Sequence, residues 1–194
     1  INFGKDFLVK GSAGTGKSLV LLKTLEKLIQ QNKQSLFEGE KSIKLITFTH
    51  SLEKYNKYVA ALLNIENPLE EEIIVTSESY VNKILKDAFP SIKLTYTLPK
   101  ILDVENDNPL GQDIWTELDK FILPKCVTQK EYCEEKIRRT GMKKAQNAGK
   151  RKAIWEAVET IFTEWDKLEE KPVQYVIYKL IHKIENGEYT IPEE

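Results

Sequence analysis

Cysteine, histidine, methionine and arginine are all scarce in this 194-residue sequence, with two, two, one and three copies respectively. The two cysteines cannot supply a disulfide framework. Cys126 and Cys133 lie seven apart in a helical-looking segment, which separates them by about 10 Å along one helix, too far to bridge each other. Neither has a histidine nearby, so a Cys/His metal site is not expected, and reduced thiols fit a cytoplasmic protein. No apolar run approaches the length of a membrane span, and no basic-then-apolar signal opens the chain, so no membrane partner is expected. Internal repeats and low-complexity tracts are absent too. What is present is ordinary for a soluble globular chain, 41% hydrophobic and 30% charged. The formal net charge of −1 hides an uneven distribution: residues 66–135 carry fifteen acids against seven bases. Lys136, Arg138, Arg139, Lys143, Lys144, Lys150, Arg151 and Lys152 then follow with no acid among them. Such a run is either a solvated face or a contact for nucleic-acid phosphates.

The most informative segment is Gly11-Ser12-Ala13-Gly14-Thr15-Gly16-Lys17-Ser18, which fits G-x-x-x-x-G-K-[ST], the Walker A phosphate-binding loop. Its glycines let successive N–H groups turn inward toward phosphate oxygens. The helix that follows adds unpaired N–H groups and the positive end of its dipole. Lys17 would reach the β- and γ-phosphates of ATP, and the Ser18 hydroxyl would complete a Mg²⁺ shell. The context agrees. Phe7-Leu8-Val9 reads as a short buried strand entering the loop, and Val20, Leu21, Leu25, Leu28 and Ile29 recur afterwards at helical spacing.

Alternation of strand and helix continues. Ile43–Phe48 reads as a second strand, followed by a helix with Leu52, Tyr55, Val59, Leu62 and Leu63 on one side. Ile73–Val75 is a third strand, and Tyr80, Val81, Ile84 and Leu85 mark a third helix. This order argues for a parallel sheet with helical crossovers, with ligands at the carboxyl ends of the strands. After Pro90, Pro99 and Pro109 the pattern becomes helical, with helices expected over 113–123, 128–139, about 149–168 and 173–185. In the third of these, Ile154, Val158, Ile161, Trp165 and Leu168 form a core stripe that Trp155 and Phe162 widen. The expected organisation is a P-loop part over 1–90, an irregular connection over 91–112 and an all-helical subdomain over 113–194. The fold class is thus α/β, an incomplete parallel sheet plus that subdomain.

The loop together with "KLITFTHSLEKYNKYVAALL" (Lys44 to Leu63) resembles superfamily 1 DNA helicases of the UvrD/Rep type. In that family an apolar strand commonly ends in Thr-Phe-Thr-Asn, where this chain has Thr47-Phe48-Thr49-His50. The resemblance implies a RecA-like sheet, ATP with Mg²⁺ as cofactors, and single-stranded nucleic acid as partner, DNA rather than RNA. It makes Phe48 a stacking or packing residue and Thr47, Thr49 and His50 contacts for phosphate or base. From the residues alone, Phe48 as core at a strand end and His50 as a loop or helix-cap residue remain open. "IVTSESYVNKIL" occupies the place of a second contact motif, usually Thr-Phe-His-Ser. Thr76 and Ser79 match it, whereas Ser77 and Glu78 replace its aromatic and histidine. The helical stretch with its basic run resembles the inserted 1B subdomain of that family.

ATP hydrolysis also needs an apolar strand ending in Asp-Glu, for Mg²⁺ and for the attacking water. No Asp-Glu dipeptide occurs in the sequence. Ile101-Leu102-Asp103-Val104-Glu105 is a poor imitation among turn-like residues, and no arginine lies outside the basic run. The expectation is therefore an ATP-binding portion of a helicase, cut before the Asp-Glu motif, inactive by itself and partnered by the remaining helicase domains of its parent. The missing strand would leave an open sheet edge, a route to self-association. The alternative is a P-loop ATPase of another class, such as a nucleotide-gated regulatory or defence protein with a helicase-like first domain. A small-molecule kinase ranks below both, because it needs an acceptor-site acid and lid arginines.

Overall fold

The computed structural model describes residues 8–34, 43–65, 72–100, 110–134 and 146–192. Phe7, Asp103, Glu105 and five members of the basic run (Lys136, Arg138, Arg139, Lys143 and Lys144) lie outside them. The chain divides into two compact units, residues 1–84 with 192–194, and residues 85–191.

In the first unit, α1 (Lys17–Gln34) leads to β1 (Leu45–Thr47), α2 (His50–Leu62) and β2 (Ile74–Thr76), and then into α3 (Ser77–Ala88), within which the division falls. The strands β1 and β2 are parallel, with Leu45 opposite Ile74 and Thr47 opposite Thr76. Parallel neighbours need a crossover connection, and α2 lies on that connection. The core joins Leu22, Leu25 and Ile29 of α1 to Ala60, Ile65, Ile73 and Ile74.

Three expectations for this unit are corrected. Leu8 and Val9 are not in a strand, and Leu8 is 76% exposed. The β1–β2 pair does not include them. On α1 the buried stripe is Leu22, Leu25 and Ile29, one position round from Val20 and Leu21, which face outward. On α2, Leu52, Tyr55 and Leu62 are exposed, while Asn56 and Ala60 are buried. The two helices carry more apolar surface than a pair of three-residue strands can cover.

The second unit is built on α7 (Ala148–Lys167). Asn147 caps it by accepting from the Lys150 amide at 2.8 Å. Ile154, Val158, Ile161 and Trp165 are buried as their spacing predicts, together with Trp155. Beside α7 pack α4 (Gly111–Glu117), α5 (Leu123–Lys125), α6 (Gln129–Cys133) and α8 (Val173–Glu185). Between α4 and α5 the helix widens to a π turn over Leu118–Ile122. Pro124 has no N–H with which to bond the Lys120 carbonyl, so the α ladder is interrupted at that carbonyl. Cys126, at φ 49°, then ends α5 in a Schellman arrangement, its amide on Leu123 O and the Val127 amide on Ile122 O. The cysteines are therefore not on one continuous helix, although both are free thiols, raised above the ordinary thiol range chiefly by burial. Inside this core Tyr132 donates to the buried Glu117 carboxylate at 3.0 Å.

The all-helical expectation is also corrected. In this unit β3 (Lys93–Thr95) pairs in parallel with β4 (Glu170–Pro172), Lys93 opposite Glu170. Two three-residue strands so far apart in sequence leave no local period to read. No described helix is long and apolar enough to cross a membrane.

Candidate functional site

The loop residues, Thr47 to His50, Thr76 and Ser79 all lie in the first unit, whereas the described members of the basic run, Lys150, Arg151 and Lys152, lie in the second. The loop from Gly11 to Ser18 is exposed apart from the half-covered Lys17. Gly14 and Gly16 adopt φ of 78° and 77°, the left-handed region that a side chain disfavours. Two such turns in three residues bend the chain back before α1 begins. A Cβ on Gly11 would come 2.5 Å from Thr15 Oγ1, which is itself tied to the Ser12 carbonyl at 2.8 Å. Lys17 Nζ reaches back over the loop and donates to the carbonyls of Gly11 at 2.9 Å and Ser12 at 2.5 Å. Its ammonium thus sits against the loop it would share with a phosphate.

The first backbone bond at the helix start runs from the Val20 amide to Gly16 O, at 3.0 Å. Helical geometry leaves the amides before it projecting from the helix end, and the first turn contains no acid to oppose an anion. Ser18 is exposed in that turn. These residues fit a nucleotide with its metal. Among the described residues no group of three or more His, Cys, Asp or Glu side chains is placed to hold a metal ion by itself.

The second cluster is the end of β1. Its residues alternate, so that Thr47 turns inward while Ile46 and Phe48 turn outward. Thr47 Oγ1 lies 3.3 Å from the Val75 carbonyl and 3.4 Å from that of Thr49. Phe48 is 85% exposed, which removes its reading as a core residue. Thr49 is the N-cap of α2, its hydroxyl accepting from the Leu52 amide at 3.2 Å. His50 opens the helix as an exposed side chain, with Nδ1 3.1 Å from Glu53 Oε2. It is thus a first-turn residue, close to the helix-cap reading that the sequence leaves open. Lys57, foremost through its 2.6 Å hydrogen bond, together with His50 holds the Glu53 carboxyl below the ordinary carboxylate range. Glu53 and Lys57 were not expected at this site. The signal that could have found them is their spacing, three and seven residues after His50 along one helix face.

The third cluster, at the end of β2, departs from expectation. Thr76 is 1% exposed. Its hydroxyl accepts from the Ser79 amide at 3.0 Å and donates to Ser79 Oγ at 2.9 Å. Thr76 therefore starts α3 from inside the unit and is not a surface contact. All three residues of β2 are buried, so its end presents no outward residue comparable to Phe48. Ser79 remains exposed.

Two clusters thus reach the surface of one unit: a loop shaped for phosphate, and an aromatic ring beside a histidine at a strand end. Comparison with curated proteins yields no match, and comparison with solved structures yields none either. The sequence profile of the UvrD/REP helicase N-terminal domain, however, matches residues 1–188.

Proposed function

This chain belongs to the UvrD/REP helicase family, and from that premise we propose that it is the ATP-binding part of an ATP-dependent DNA helicase. The family carries a P-loop fold, and the chain is accordingly mixed in structure, with helices and small parallel sheets. In this reading the first unit is the RecA-like part and the mainly helical second unit corresponds to the inserted 1B subdomain. ATP binds through the amides of Gly11 to Ser18. Lys17 exchanges the Gly11 and Ser12 carbonyls for phosphate oxygens, and Ser18 holds the Mg²⁺ that accompanies them. Single-stranded DNA is met by Phe48, on which a base stacks, and by His50, with Ser79 as a further polar contact. Thr47 and Thr49 act from beneath, holding the strand end and the helix start.

The observation that carries the reading is the loop geometry: left-handed Gly14 and Gly16 before the start of α1, and a Lys17 ammonium folded back onto the Gly11 and Ser12 carbonyls. The family match then selects helicases from among the many users of such a loop. The 194 residues contain no Asp-Glu dipeptide to hold Mg²⁺ through water or to activate the attacking water. This chain is therefore expected to bind ATP without turning it over. Titration with a fluorescent ATP analogue should show Mg²⁺-dependent binding that Lys17→Ala weakens by at least about tenfold. Multiple-turnover hydrolysis by the chain, abolished by Lys17→Ala, would overturn its assignment as inactive. In the parent protein, hydrolysis should rise with single-stranded DNA. Hydrolysis indifferent to DNA would instead indicate a nucleotide-gated protein that does not unwind.

A further inference from the structure

Histidine occurs twice in the sequence, and His50 stands at the end of a string of charges. Lys57 Nζ donates to Glu53 Oε1 at 2.6 Å, and Glu53 Oε2 meets His50 Nδ1 at 3.1 Å. Lys57 and Glu53 are the better-covered members, at 33% and 18% side-chain exposure, whereas His50 is 68% exposed. With the imidazole neutral, the charges of Lys57 and Glu53 cancel. With it protonated, the string carries one net positive charge, at the exposed end and two residues from Phe48.

The tautomer sharpens the difference. A carboxylate only accepts, so Nδ1 must carry the proton shared with Glu53, and in the neutral ring Nε2 is then an acceptor. An acceptor cannot bond a phosphate oxygen. Protonation turns the same atom into a charged donor, which can. The residues leading in from β1, Thr47 to Thr49, are uncharged; on α2 itself Glu53 meets the ring, Lys57 lies behind it, and the exposed Lys54, one turn on, is a further cation. The hydrogen bond from Lys57, above all, holds the Glu53 carboxyl below its ordinary range, so it stays ionised while histidine titrates between about pH 5 and 8.

From this geometry we propose that His50 is a proton-controlled contact for a nucleic-acid phosphate, with Glu53 as its positioning residue. Affinity for single strands therefore rises as pH falls through the histidine range. The proposal rests on the nucleic-acid reading of the Phe48 cluster given above. A phosphodiester stays anionic across that range, and thymine does not titrate there, so with oligothymidylate the pH dependence belongs to the protein.

The test is fluorescence anisotropy of a dye-labelled oligothymidylate with the full chain, at about pH 5.5 and about pH 8 and at several salt concentrations. The wild-type chain should bind about three- to fivefold tighter at the lower pH, as for one exposed ion pair. Its log–log salt slope should steepen there by about 0.7, as for one added phosphate contact. His50→Asn should remove the pH dependence, whereas His182→Asn, at the other histidine, should retain it. Glu53→Gln should shrink the pH dependence, because an amide, unlike a carboxylate, can also donate to Nδ1 and let the neutral ring offer Nε2–H to a phosphate. An undiminished pH dependence overturns the role of Glu53. Binding that is present but independent of pH, or a pH dependence that survives His50→Asn, overturns the proposal and leaves the nucleic-acid reading standing. No binding at either pH removes both.

Discussion

Thr47 and Phe48 are neighbours, yet one hydroxyl is spent inside the unit while the next ring stands in solvent. The division of labour follows from strand geometry, which sends successive side chains to opposite faces. It also makes Phe48 separable from stability. Phe48→Ala should weaken binding to oligothymidylate by about tenfold or more, the loss of one stacked base. The melting temperature should stay unchanged, because an exposed ring holds nothing in place. An equal loss of binding and of melting temperature would mean that the ring packs after all. The outward placement of Phe48 is not written in Leu45-Ile46-Thr47-Phe48, where the exposed Ile46 and Phe48 are apolar and the buried Thr47 is polar, but the loop from Gly11 to Ser18 can be read residue by residue. Thr76 could not be placed in this way. Its strand is buried throughout, so Ile74-Val75-Thr76 carries no alternation to separate an outward residue from an inward one. The partnership of Lys17 with the Gly11 and Ser12 carbonyls was equally hidden, since backbone acceptors leave no mark in a sequence.

Helices in this chain are specified by their ends as much as by their faces. Thr128 and Glu131 form a complete capping box at the start of α6, the Thr128 hydroxyl accepting from the Glu131 amide and the Glu131 carboxylate accepting from the Thr128 amide at 2.8 Å. The bond from the Thr128 amide, above all, keeps the Glu131 carboxyl below its ordinary range. A depressed folded-state value means that this contribution is present above the unfolded value of 4.5 and is lost as pH falls through the folded one. Glu131→Ala should therefore lower the unfolding free energy by about 1 kcal/mol at neutral pH. The difference should shrink in acid. Urea unfolding followed by circular dichroism at the two pH values measures both. Where a stripe was long it was legible, as for Ile154, Val158, Ile161 and Trp165 on α7. Where the buried face was made of Asn56 and Ala60, the larger Leu52, Tyr55 and Leu62 drew the expectation to the wrong side of α2. The short β3–β4 pair lay beyond any local pattern, because each strand is defined by the other.

At the scale of the whole molecule, two cores are built from two vocabularies. The first is aliphatic, with Leu22, Leu25, Ile29 and Ile74 among its members. The second is aromatic, with Trp115, Phe162, Trp165, Tyr175 and Tyr178 in ring contact at centroid distances from 4.7 to 6.4 Å. Large rings fill space that smaller neighbours cannot reclaim, so the second core should tolerate loss poorly. Ile161→Ala, at a fully buried position on α7, should cost about 2–5 kcal/mol by calorimetry. A cost below about 1 kcal/mol would show that the rings collapse into the vacancy. The same distribution of rings has an optical consequence. All three tryptophans, at 115, 155 and 165, belong to residues 85–191, and none to residues 1–84. Intrinsic emission excited at the red edge of the indole band therefore comes from the second unit alone, and the nucleotide loop carries no native fluorophore of that kind. A tryptophan placed at Phe48 would give the first unit a signal of its own, on the ring where a stacked base quenches most directly.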